Sequence, residues 1–134
     1  IGAVLMDGRT GNVFRPGDHG STFGGNPIVC AGSLEVLRQV VDKDFLSDVH
    51  AKAEYMHKRL SVMPKVAGIS GIGLMFGLSL EDGIQAGETA KKCVQHGLLI
   101  LTAKEKLRIM PPLNISWEEI DTGVAILESC LTET

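Results

Sequence analysis

Aromatic side chains are scarce: they make up 4% of the 134 residues, with one Trp and one Tyr. Little is left for the stacking platforms that nucleic-acid bases need. Surplus positive charge is missing too. The formal net charge of −3 argues against a nucleic-acid or acidic-membrane partner. No apolar run approaches the roughly 20 residues that span a bilayer, and nothing at the start resembles a signal peptide. The chain opens at Ile1 rather than at a methionine, which fits a processed or truncated product. The three cysteines, Cys30, Cys93 and Cys130, are far apart, with no CxxC or metal-ligand spacing. Cys30 and Cys130 fall on predicted helices among apolar residues. Buried thiols in a reducing compartment, the cytoplasm, are the expectation.

What is present is globular: 44% hydrophobic and 22% charged residues, in a length that makes one domain with a core. Ile1–Met6 is a short apolar run expected to be a buried strand, followed by a helical turn over Arg9–Phe14. Cys30, Leu34, Leu37 and Val41 recur at three and four residues and predict a helix over Pro27–Val41. Leu46, Val49, Ala53, Met56, Leu60 and Met63 do the same for Phe45–Met63, with Asp44 as its N-cap and Glu54–Lys58 as an exposed pair. His50, Glu54 and His57 share a face there, but the HExxH order is absent, and a solvated polar face accounts for them.

Val66–Leu80 reads as two strands, with Leu74, Phe76, Leu78 and Leu80 alternating. Gly71-Ile72-Gly73 and Gly77 fail as a dinucleotide fingerprint because no helix opens there. Ile84–His96 is a predicted helix closed by Gly97. Leu98–Thr102 and Lys106–Met110 pair across Ala103–Glu105. Ser116-Trp117-Glu118-Glu119 is a capping box for a last helix carrying Ile120, Val124, Leu127 and Leu131. The sum is an α+β unit, a small, mostly antiparallel sheet with helices on one side. The opening strand needs sheet neighbours that the pattern does not supply before Val66.

The stretch with the densest chemical signal is Gly17-Asp18-His19-Gly20-Ser21-Thr22-Phe23-Gly24-Gly25-Asn26-Pro27. Its glycines allow close backbone approach to a ligand. Asn26 suits an N-cap and Pro27 the first helical position. The hydroxyls of Ser21 and Thr22 stand just ahead of a helix N-terminus, an arrangement that offers donors and a favourable dipole to a phosphate. Local capping of loop amides by Ser21 and Thr22 is the plainer alternative. His19 is read as a residue that shapes the turn. Arg108, in an apolar strand before Pro111-Pro112, can fork onto a carboxylate, as lysine cannot, or can point to solvent from an edge strand.

The glycine-rich loop resembles the signature loop of the class III (ornithine-type) pyridoxal-phosphate aminotransferases, most of all their acetylornithine branch. Ile1-Gly2-Ala3-Val4 resembles the strand after the family's cofactor-binding lysine, and Leu107-Arg108-Ile109-Met110-Pro111-Pro112-Leu113 a second motif near the family's C-terminus. The chain thus resembles the last third of such an enzyme. The resemblance implies the C-terminal small domain of a fold-type I transferase at 42–134 and a linking helix at 27–41. It makes 1–26 a remnant strand and phosphate loop of the large cofactor-binding domain. It implies pyridoxal 5'-phosphate as cofactor and a homodimer, in which Thr22 touches the phosphate of the opposite subunit's cofactor and Ser21 lies beside it, near the phosphate or the substrate. Arg108 would bind the substrate carboxylate. The substrates implied are N-acetylornithine and 2-oxoglutarate, with ornithine, succinylornithine and 4-aminobutyrate transaminases sharing much of the pattern. No lysine from Lys43 to Lys106 lies in the family's lysine motif, which would fall before Ile1. The piece alone would then be inactive, with its apolar opening segment and helix faces left exposed. The alternative is a free-standing, non-catalytic α+β module that binds a small molecule.

Overall fold

A computed structural model describes residues 1–133; Thr134, the end of the last expected segment, lies outside the described residues. The chain divides into two units, 1–45 and 46–134, and each is taken by itself.

In the first unit the expected strand at Ile1–Met6 is not formed. Those residues have no regular structure, and Leu5 is 97% exposed. An extended segment needs a neighbouring strand for its amides, and no described residue of this unit forms one. Asp7 opens a helical turn earlier than Arg9. Its carbonyl accepts from the Gly11 amide at 2.9 Å. Its carboxylate accepts from the Arg9 guanidinium at 2.7 Å, and that bond holds the carboxyl below its ordinary range. Helix α1 covers Pro27–Val40 and buries no residue. The predicted stripe exists in spacing, but Leu34 and Leu37 stand in solvent and Cys30 is exposed rather than buried. An amphipathic stripe becomes a core only where another element covers it.

Helix α2 covers Lys43–Ser61. Asp42, not Asp44, caps it: its carboxylate accepts from the Phe45 amide at 2.9 Å, which moves the start ahead of Phe45. Glu54 faces His50 rather than Lys58, with Oε1 and Nε2 3.4 Å apart. Strands β1 (Val66–Ile72) and β2 (Met75–Leu80) form a hairpin. The hairpin requires glycine at position 71, where φ is +141° and a Cβ would lie 1.9 Å from the Met75 carbonyl oxygen. Helix α3 (Ala86–Gln95) ends in a Schellman motif. Leu98 N–H donates to Cys93 O and Gly97 N–H to Val94 O, with Gly97 at φ +86°. Strands β3 (Leu101–Ala103) and β4 (Lys106–Ile109) follow, β3 later and shorter than the expected Leu98–Thr102. Helix α4 covers Trp117–Thr132.

The sheet order is β1-β2-β4-β3, every neighbour antiparallel, which makes the fold α+β. Phe76, Leu78 and Leu107 turn to one face and are buried with Leu60 of α2, Cys93 of α3 and Ile120, Leu127 and Leu131 of α4. Helices α2, α3 and α4 of this unit therefore cover one face of its sheet. The alternate residues on the other face, Ser70, Met75, Lys106 and Arg108, are exposed. Helices α2 and α4 are joined by a cluster the apolar spacing does not reveal. Arg59 Nη1 donates to Asp121 Oδ1 and to the Tyr55 hydroxyl, both at 2.8 Å, and Tyr55 also donates to Asp121. The Tyr55 ring meets Trp117 edge-on at 5.5 Å, and buried Lys52, paired with Asp48, lies 5.8 Å from the Trp117 ring centre. Cys93 and Cys130 are buried as neighbours on α3 and α4; burial first, then the Cys130 thiol, pushes the Cys93 thiol up to about 12.

The capping box of α4 forms as expected. Ser116 Oγ accepts from the Glu119 amide at 3.2 Å, and Glu119 Oε2 accepts from the Ser116 amide at 2.8 Å. The Ser116 amide holds the Glu119 carboxyl below its ordinary 4.5. Because the folded value is depressed, this contribution to stability is present above 4.5 and lost as pH falls through the folded value. Glu119→Gln keeps the box but not the charge, so the variant should lose less stability than the parent between about pH 5 and pH 3. Thermal midpoints across that range check this; parallel acid limbs would contradict it.

Candidate functional site

The loop before α1 is held at both ends, and its middle has no hydrogen-bond partner among the described residues. Asp18 Oδ2 accepts from the Arg15 amide at 2.8 Å, and Gly17 and Gly25 take positive φ of +96° and +70°. Gly24 is packed under Ser21, where a Cβ would meet the Ser21 Cβ and Oγ at 3.0 Å. Asn26 Oδ1 accepts from the amides of Ile28 at 3.0 Å and Val29 at 3.3 Å. The cap therefore occupies helix amides that the sequence suggested were open to an anion. The free donors lie upstream instead. Among the described residues, the amides of Ser21, Thr22, Phe23, Gly24 and Gly25 donate to nothing, and neither the Ser21 nor the Thr22 hydroxyl has a partner. Five amides and two hydroxyls on a flexible-φ loop are a donor set suited to a phosphate. His19 takes no part in it and stands edge-on to Phe14 at 6.3 Å.

Arg108 sits in β4, between Gly77 of β2 and Leu101 of β3, on the sheet face the helices leave open. It is an interior strand position, not an edge. Arg108 Nε donates to Met110 Sδ at 2.9 Å. The four terminal N–H groups have no partner among the described residues, and no carboxylate forms an ion pair with this arginine there. Beside it, Lys106 shares the face and donates to Ser70 Oγ at 3.2 Å. The sequence reading missed Lys106 and Ser70, although the alternation around Leu107 puts Lys106 and Arg108 on one side. An apolar cavity of about 270 Å³ in this unit lies among Met56, Leu60, Ile109, Ile120, Val124 and Leu127. Its single charged wall residue, Glu119, is already engaged in the capping box. Ser21 and Thr22 belong to the first unit and Arg108 to the second.

Residues 1–131 match the family described as aminotransferase class-III. This chain belongs to the class III aminotransferases. Among curated members, it is 41% identical to the acetylornithine aminotransferase of Haemophilus ducreyi over 99% of this chain and 34% of that protein. It is 43% identical to the acetylornithine aminotransferase of Caldanaerobacter subterraneus over 99% of this chain and 35% of that one. Among solved structures, the N-acetylornithine aminotransferase of Stenotrophomonas maltophilia superposes with a TM-score of 0.74 at 26% identity, over 82% of this chain and 32% of that one. The chain thus spans about a third of the length of the class III aminotransferases it matches.

Because Asn26 carries the cap and the hydroxyls carry no internal bond, the two should separate in a stability measurement. Asn26→Ala should cost about 1 kcal/mol, whereas Thr22→Val should stay within about 0.5 kcal/mol of the parent. Thermal or denaturant unfolding of both variants checks this. A Thr22→Val loss equal to that of Asn26→Ala would assign the hydroxyl a structural role.

Proposed function

We propose that the chain is part of a pyridoxal-phosphate-dependent aminotransferase that exchanges an amino group between N-acetylornithine and 2-oxoglutarate, a step of arginine biosynthesis in the cytoplasm. The names of the curated relatives support the donor. The observation that carries the reading is Arg108, a guanidinium on an uncovered sheet face, with free terminal N–H groups and no ion-pair partner among the described residues. A planar fork so placed binds a carboxylate through two parallel bonds.

On this reading Thr22 and Ser21, with the free amides around them, hold the cofactor phosphate, and Ser21 also borders the substrate. Pyridoxal phosphate, when bound, supplies the electron sink for the amino-group exchange. The chain's own residues bind and orient: the loop anchors an anion, and Arg108 fixes the substrate by its carboxylate. Residues 1–26 belong with the large cofactor domain, 27–41 with a linking helix and 42–134 with the small domain. The exposed apolar residues of Ile1–Met6 and α1 fit segments that pack on the rest of that enzyme and on its homodimer partner.

The test is transamination by the full-length enzyme with pyridoxal phosphate, with and without Arg108→Lys. The parent should convert N-acetylornithine with 2-oxoglutarate. Arg108→Lys should lower kcat/KM by about 10- to 100-fold, the ~1.5–3 kcal/mol of a charge-assisted hydrogen bond. Full activity in Arg108→Lys would remove the arginine from the substrate site.

A further inference from the structure

The open face of the sheet carries a second cation beside Arg108. In β4, Leu107 is fully buried, so Lys106 and Arg108 project together from the opposite face, their Cα atoms about 6.6 Å apart. Between them and β1 lies Gly77, the β2 residue paired with both Arg108 and Ser70. With no side chain there, the Lys106 stem crosses the strand. A Cβ on Gly77 would meet Lys106 Cδ at 3.5 Å and Ser70 Oγ at 3.1 Å. The crossing brings Lys106 Nζ to 3.2 Å from Ser70 Oγ, whose own proton goes to the Gly77 carbonyl at 3.3 Å. Lys106 keeps two unused N–H groups and Arg108 four, and neither forms an ion pair among the described residues. Two like charges on one strand face repel unless an anion lies between them.

We propose that Lys106, set over the Gly77 notch, is a specificity-determining contact for the second carboxylate of a dicarboxylate substrate whose first carboxylate lies on Arg108. This rests on the reading of Arg108 as the substrate clamp. Lys106 adds discrimination: a dicarboxylate meets both cations, whereas a monocarboxylate leaves the ammonium on Ser70 alone. Removing the ammonium therefore weakens the dianion selectively.

The test compares Lys106→Met, Lys106→Arg and Gly77→Ala with the parent in the full-length enzyme loaded with pyridoxal phosphate, using 2-oxoglutarate or pyruvate as amino acceptor. Lys106→Met should raise KM for 2-oxoglutarate about tenfold while changing KM for pyruvate less than about twofold. Lys106→Arg should restore the preference, and Gly77→Ala, whose Cβ would crowd Ser70 Oγ at 3.1 Å and so shift the hydroxyl that holds the Lys106 ammonium, should weaken the preference in the direction of Lys106→Met. An unchanged preference in Lys106→Met, in an enzyme that transaminates, overturns the proposal and leaves the Arg108 reading standing. If the parent does not transaminate, calorimetric titration of 2-oxoglutarate and pyruvate decides separately. Selective binding of the dianion that is lost in Lys106→Met keeps the notch while the function fails; equal binding by parent and variant overturns the notch as well.

Discussion

One-sided burial of the sheet governs everything else in residues 46–134. Phe76, Leu78 and Leu107 lie under the helices with almost no exposure, and truncating any one of them should cost a few kcal/mol. Strand side chains alternate with a period of two, so burying Leu107 leaves Lys106 and Arg108 no choice of face. A one-residue slip of β4 would bury two cations and expose the core leucine. The chemistry on the open face is thus fixed by the packing on the closed one.

The remaining devices hold that arrangement in register. Gly71 lets β1 turn into β2, and the Schellman motif at Gly97 ends α3 so that the chain can enter β3. The capping box starts α4 where Ile120, Val124 and Leu127 can reach the core. The chain's one Tyr and one Trp serve the α2–α4 contact with Arg59 and Asp121. At the other end of the chain, the glycine-rich loop achieves the opposite. Asn26 accepts from two amides of the helix it introduces, and the five preceding amides have no partner among the described residues.

Local patterns were legible in the sequence, and partner-dependent features were not. The alternation in Phe76–Leu80, the Ser116–Glu119 box and the Gly97 stop depend on residues a few positions apart, and all three form. The Ile1–Met6 strand and the burial of Cys30 required surfaces supplied by other segments, and spacing alone cannot say whether these are present. The cap of α2 was displaced from Asp44 to Asp42 because both fit the composition and only geometry separates them. Arg108 was singled out by the motif around it. Lys106 and Ser70 were missed because their meeting depends on Gly77 across two strand pairings, a relation without any linear spacing.

The central claim is that the helix-free face of the sheet, through Arg108, is the surface that holds the substrate. A crystal structure of the full-length, cofactor-loaded enzyme with 2-oxoglutarate tests it most directly. The account predicts a carboxylate within about 3 Å of two Arg108 nitrogens. A substrate held elsewhere, with the Arg108 guanidinium turned to bulk solvent, would contradict it.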